Sequence, residues 1–90
     1  MWLNKVDISE NIYIHCLENN NSKLKKYITD SYFAYYYCKN IKDDSKVAKH
    51  ITEFYYQYLY HKHVSGNINQ RDEALKKYKR IKRIKIVKGG

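Results

Sequence analysis

Two cysteines and four histidines could bind a metal ion or act as nucleophile and base: His15, Cys16, Cys38, His50, His61 and His63. Structural zinc sites usually place ligands in pairs two to four residues apart. Only His61 and His63 have such a spacing, and two residues apart on a helix they point about 200° away from each other. We therefore expect no metal and no other cofactor.

Catalysis by a cysteine nucleophile needs a histidine within hydrogen-bonding reach of the thiol. Cys38 and His50 lie on neighbouring predicted helices, but Cys38 falls on an apolar stripe, which is typical of an inert core thiol. No two carboxylates share an apolar helix face, and three glycines are too few for a phosphate-binding loop. We expect no catalytic residues, no enzymatic activity and no small-molecule substrate.

The positive charge is concentrated near the C-terminus. Residues 71–88 hold nine basic side chains and two acids, so they carry +7 of the net charge of +9. Lys-, Asn-, Ile- and Tyr-rich composition is typical of AT-rich coding sequences, including those of many viruses and phages, but codon usage does not explain the segregation. Such asymmetry favours binding to DNA or RNA. The candidate phosphate contacts are Lys76, Lys77, Lys79, Arg80, Lys82, Arg83 and Lys85.

Apolar spacing predicts the elements that position these side chains. No internal repeat is evident, and polar breaks occur at residues 19–22, 42–45 and 65–70. Residues 22–42 and 45–64 show three- and four-residue apolar spacing, which predicts two helices. Ser22 would cap the first, Asp44 or Ser45 the second, and Gly66 would end the second.

The two ends of the chain are less regular. A helix is predicted from near Asn69 to about residue 82, followed by a flexible basic tail over residues 83–90. Residues 7–18 favour a helix with Ile8, Ile12 and Cys16 facing inward, although residues 12–17 also have high β propensity. The fold class is therefore all-α, a three- or four-helix bundle in one domain over residues 1–90. The alternative is an α+β fold in which a short N-terminal strand pairs with residues 84–87.

Aromatic residues widen the apolar faces of the two central helices beyond what a small bundle covers. Eleven tyrosines are present, and such a surplus is usually buried by self-association or by a partner. The candidate contacts are Tyr36, Tyr37, Tyr56 and Tyr60. The second functional hypothesis is therefore a protein-binding adaptor or inhibitor, acting as an oligomer or as a peripheral subunit of an assembly.

The compartment is predicted from what the sequence lacks. No apolar run approaches the roughly 20 residues that a membrane span needs, and residues 1–7 do not resemble a secretory signal. Two widely separated cysteines do not suggest a disulfide framework. These features favour the cytoplasm or another reducing intracellular compartment.

Overall fold

The computed structural model describes residues 4–19 and 23–89, with the side chains of all but Lys5 and residues 82–89. The described α-helices are α1 (Lys5–Asn19), α2 (Ser31–Asn40), α3 (Ser45–Ala48), α4 (Phe54–Tyr60) and α5 (Ile68–Gly89). A 3₁₀ helix, Lys25–Tyr27, precedes α2, and one π-helical turn, His61–Ser65, continues α4. These residues contain no strand, which confirms the all-α prediction and does not favour the α+β alternative.

The second segment was predicted to be one helix over residues 22–42, and that prediction is wrong because the helix starts only at Ser31. Asp30 caps α2, since its Oδ2 accepts hydrogen bonds from the Tyr32 and Phe33 amides at 3.0 and 3.4 Å. The preceding backbone is extended, and its amides bind a side chain of α1 instead of a helical carbonyl. The predicted cap Ser22 lies outside the described residues.

The third segment is also divided, between α3 and α4. Asp44 caps α3 as predicted, because its Oδ1 accepts from the Lys46 amide at 2.8 Å. Residues 51–53 leave the helix before α4 begins. Gly66 ends the π-helical turn in a left-handed conformation with φ of 72°, which confirms the predicted stop.

The terminal helices extend the expected pattern. Residues 7–18 are helical in α1, with Cys16 buried and Ile12 half-buried, but Ile8 is 38% exposed and does not face inward. The backbone of α5 runs to Gly89, past the predicted end near residue 82. No glycine or proline interrupts this segment before Gly89, so the sequence contains no earlier stop signal.

Two buried serines reveal an internal repeat that the spacing of apolar residues did not indicate. Ser9 Oγ, in α1, accepts from the Thr29 and Asp30 amides at 3.0 and 3.1 Å. Ser31 Oγ, in α2, accepts from the Thr52 and Glu53 amides at 3.0 and 3.3 Å. Each serine therefore holds the extended segment that precedes the next long helix.

The chain sequence agrees with this hydrogen-bond pattern. Residues 23–41 align without a gap on residues 46–64, which makes Thr29 and Asp30, whose amides Ser9 binds, equivalent to Thr52 and Glu53, whose amides Ser31 binds. The identical pairs are Lys23/Lys46, Lys26/Lys49, Ile28/Ile51, Thr29/Thr52, Tyr32/Tyr55, Tyr35/Tyr58, Tyr37/Tyr60 and Lys39/Lys62. The expectation that the chain has no repeat is therefore wrong, because the units are short and fewer than half of their aligned residues are identical.

The repeat organises the packing. The long helices α1, α2, α4 and α5 pack side by side in chain order, while the 3₁₀ helix and α3 contact each other beside them. Equivalent positions are buried in successive units, since Ile28 and Ile51 are 0% and 5% exposed. The fully buried side chains Tyr37, Ile28, Val47 and Cys16 fill the core between the long and the short helices.

Candidate nucleic-acid interface

Helix α5 is attached to the repeat by one apolar side. Ala74 is 4% exposed, and Leu75 and Tyr78 are half-buried. The Tyr78 ring packs on Tyr55 of α4, with 5.2 Å between the ring centroids. These contacts hold the first half of α5 against α4, so the opposite side faces solvent.

The solvent-facing side of α5 is cationic. Lys76, Lys77, Lys79 and Arg80 are all exposed. The Nζ of Lys77 lies 5.5 Å from the ring centroid of Phe54, a cation–π distance that orients this side chain beside α4. Lys82, Arg83 and Lys85 belong to the same helix, but their side chains are not among those described.

A continuous row of aromatic rings crosses the long helices and ends at α5. We call it the aromatic row, and it consists of Tyr13, Phe33, Tyr32, Tyr36, Tyr35, Tyr56, Tyr55 and Tyr78. Adjacent rings lie 4.7–6.3 Å apart between centroids, for example 5.6 Å for Tyr32 and Tyr56. Tyr32 and Tyr55 are repeat equivalents and are 41% and 43% exposed. Stackable faces thus adjoin the cationic side of α5.

The four tyrosines predicted as protein contacts have different environments. Tyr36 and Tyr56 are half-buried in the aromatic row. Tyr60 is half-buried, and its hydroxyl donates to Asp43 Oδ1 at 2.7 Å, so burial and this contact raise its pKa. Tyr37 is 0% exposed, which contradicts the expectation of an exposed ring. Tyr37 belongs to the buried core cluster, together with Ile28 and Val47.

The cysteines and histidines belong neither to the aromatic row nor to the cationic residues of α5. Burial raises the pKa of the Cys16 and Cys38 thiols, and Cys38 Sγ donates to the Asp44 carbonyl oxygen at 3.8 Å. His61 Nδ1 is 2.7 Å from Ser65 Oγ, and burial lowers the His61 pKa. Across the residues that the structure describes, no three His, Cys, Asp or Glu side chains come together as a possible metal site.

Sequence reasoning missed two groups of surface residues. Tyr32 and Tyr55 were not among the predicted contact residues, although they are the most exposed rings of the aromatic row. Lys26, Lys46 and Lys49 were not predicted as binding residues, because they lie on two different predicted helices. The repeated Lys-x-x-Lys of residues 23–26 and 46–49 was the signal that could have identified the lysines.

Comparisons with protein-family models, with curated proteins and with solved structures find no match to this chain. Within the described residues, no helix is both long enough and apolar enough to cross a membrane.

Proposed function

We propose that this protein binds DNA or RNA without catalysing a reaction, through phosphate contacts on α5. The observation that carries the proposal is the exposed cationic surface of α5: Lys76, Lys79 and Arg80 lie away from the buried Ala74, and the exposed Lys77 lies at the edge of α5 beside Phe54. Phosphate neutralisation by lysine and arginine releases counterions and supplies most of the sequence-independent affinity for nucleic acid. Among the described residues, Lys76, Lys79 and Arg80 form no ion pair, so their charges are available for that role.

The aromatic row suggests how single-stranded nucleic acid would be held. Tyr78 belongs both to α5 and to the row, and Tyr55 beside it is 43% exposed. Stacking of a base on an aromatic ring is worth roughly 1–3 kcal/mol and tolerates any base. If the phosphates of a single strand lie on α5, its bases can reach these neighbouring rings and stack on them. We therefore expect single strands to be preferred over duplexes.

The test is a fluorescence-anisotropy titration of duplex DNA, single-stranded DNA and structured RNA at several salt concentrations from about 50 to 200 mM. The variant K79Q/R80Q removes two charges from α5. The matched control K39Q/K62Q also removes two positive charges. Lys39 lies in α2 and Lys62 in the π-helical turn after α4, at equivalent positions of the repeat, and each contacts a tyrosine ring. We expect the first variant to reduce both affinity and salt dependence, and the control to keep both.

Either of two results would count against the proposal. One is the absence of binding by the wild-type protein at the lowest salt. The other is an equal loss of affinity in both variants, because that would show a response to net charge rather than to α5.

A second candidate function is protein binding through the groove between α4 and α5. This groove has a volume of about 370 Å³ and is lined mainly by Phe54, Tyr55, Tyr56, Tyr78 and Ile81. Exposed aromatic side chains around a concavity are common at protein interfaces. The substitution Y55A would weaken a protein contact here, whereas K79Q/R80Q would leave it largely intact. Sedimentation velocity of both variants would reveal whether the partner is another copy of this chain.

A further inference from the structure

A second cationic surface lies away from α5, on the short helices. Lys25 and Lys26 of the 3₁₀ helix and Lys46 and Lys49 near α3 line one cavity of about 140 Å³, together with Val47 and His50. These lysines are about 20 residues apart in sequence. They meet because the 3₁₀ helix and α3 contact each other.

The charge within this cavity is only partly balanced. Lys25 forms an ion pair with Asp44, and this contact lowers the pKa of the Asp44 carboxyl. Lys26, Lys46 and Lys49 form no ion pair with any carboxylate of the described residues. Like charges held together repel each other, and Lys46 and Lys49 are three residues apart, close enough to share one helical face. An anion in the cavity would relieve that repulsion.

Lys49 also borders a second cavity, which lies toward α5. This neighbouring cavity of about 420 Å³ includes His61 of the π-helical turn and Gln70 in the first turn of α5. Lys49 therefore lies between the lysine cavity and the first turn of α5. A linear polyanion has phosphates at regular intervals and can occupy several such positions at once.

We infer that Lys26, Lys46 and Lys49 form a second phosphate-contact site for the nucleic acid that α5 binds. This inference rests on the proposed function and adds to it a second place of contact, which the repeat itself generates. Lys25 is held by Asp44 and supports the cavity wall, so its role is structural. The site would make the protein bind longer strands more tightly than strands that reach α5 alone.

The experiment compares three double variants that each remove two positive charges: K46Q/K49Q at the lysine cavity, K79Q/R80Q on α5, and the control K39Q/K62Q. The measured quantity is the slope of log Kd against log salt for a labelled single-stranded DNA. Each phosphate contact contributes about 0.7 to this slope for single strands. We expect the slope to fall by roughly 1.4 in the cavity variant and in the α5 variant, and to stay unchanged in the control.

The outcomes separate the two proposals. A reduced slope in K79Q/R80Q with an unchanged slope in K46Q/K49Q would overturn the second site and leave the function of α5 standing. No binding by the wild-type protein would overturn both. Acetylation of the wild-type lysines with and without DNA, followed by mass spectrometry, does not depend on the folding of any variant. We expect Lys46 and Lys49 to be protected by DNA while Lys39 and Lys62 are not, and equal modification of all four would refute the second site.

Discussion

At the residue scale, the buried serines have the clearest structural role. Ser31 Oγ accepts from two amides of the next repeat and donates to the His50 carbonyl oxygen at 3.1 Å. One small hydroxyl thus satisfies backbone groups that lie outside any helix. Buried amides without a partner are costly, and the same hydroxyl position recurs at Ser9.

Replacing Ser31 by alanine should therefore destabilise the protein. The change removes the acceptor of the Thr52 and Glu53 amides, and the loss of a hydrogen bond typically costs about 0.5–1.5 kcal/mol. The melting temperature should fall by about 4–8 °C for each kcal/mol lost in a domain of this size. The control is Ser45→Ala, because Ser45 is exposed and its hydroxyl makes no hydrogen bond within the described residues. Equal melting temperatures for the two variants would show that the Ser31 bonds do not matter.

His61 makes the stability depend on pH. Burial lowers its pKa in the folded protein below the ordinary value of 6.5. As the pH falls through about 6.5, the unfolded chain therefore takes up a proton before the folded one does, and stability decreases. We expect wild-type protein to be less stable to urea at pH 5.5 than at pH 7.5. His61→Gln should reduce this difference, while the exposed His63→Gln should retain it; the reverse order would disprove the assignment to His61.

At the scale of elements, helix ends are set by side chains that compete for backbone amides. Asp30 and Asp44 each cap the helix that follows. The direction of the segment before each aspartate is determined by tertiary packing. Asp44 also pairs with Lys25 and thus ties α3 to the 3₁₀ helix. The boundaries are therefore partly local, through the caps, and partly tertiary, through the serines of the previous helix.

Gly66 allows α4 and α5 to pack on each other, because its left-handed backbone reverses the chain between them. A Cβ at this position would meet no atom within 4 Å, so only backbone strain opposes a substitution. Gly66→Ala should cost about 1–2 kcal/mol, and Gly66→Asn should cost less because asparagine tolerates this conformation. Chemical denaturation of both variants tests this. If alanine and asparagine are equally well tolerated, the backbone at Gly66 does not keep its left-handed conformation.

At the scale of the whole molecule, the successive repeats form two surfaces, one aromatic and one cationic. The long helices carry the aromatic row, and the short helices carry the lysine cavity. Each surface contains a pair of equivalent residues from successive repeats, Tyr32 with Tyr55 in the aromatic row and Lys26 with Lys49 in the lysine cavity. Stacked repeats commonly create extended binding surfaces in this way, since each unit contributes the same type of contact.

Deletion of residues 82–90 should weaken nucleic-acid binding while leaving the repeat folded. This segment contains four basic residues, Lys82, Arg83, Lys85 and Lys88, and it follows the last buried residue of α5 that the structure describes, Ala74. The slope of log Kd against log salt for single-stranded DNA should fall by up to about 3. The far-ultraviolet circular dichroism melt should keep its midpoint. Unchanged DNA affinity after this deletion would restrict the phosphate contacts to the first half of α5 and the lysine cavity.

Much of the local architecture could be predicted from the chain itself. Apolar spacing and the absence of proline indicate an all-α fold, Asp44 and Gly66 have the residue types that begin and end helices, and the charge excess of residues 71–88 locates the basic helix. Each of these features depends on neighbouring residues only. Local interactions are sufficient to determine them because capping, left-handed backbone and charge density do not require distant contacts.

Only the tertiary structure decided where the predicted long helices break and which side chains come together. The breaks before Ser31 and Phe54 depend on hydroxyls of Ser9 and Ser31, about 20 residues earlier, which capture amides that would otherwise continue a helix. The same packing buries Tyr37 and leaves Tyr32 exposed, although both are tyrosines of α2. It also joins Lys26 to Lys46 and Lys49. Periodicity reports which residues share a helix face, whereas burial and side-chain clustering depend on which other segments cover that face.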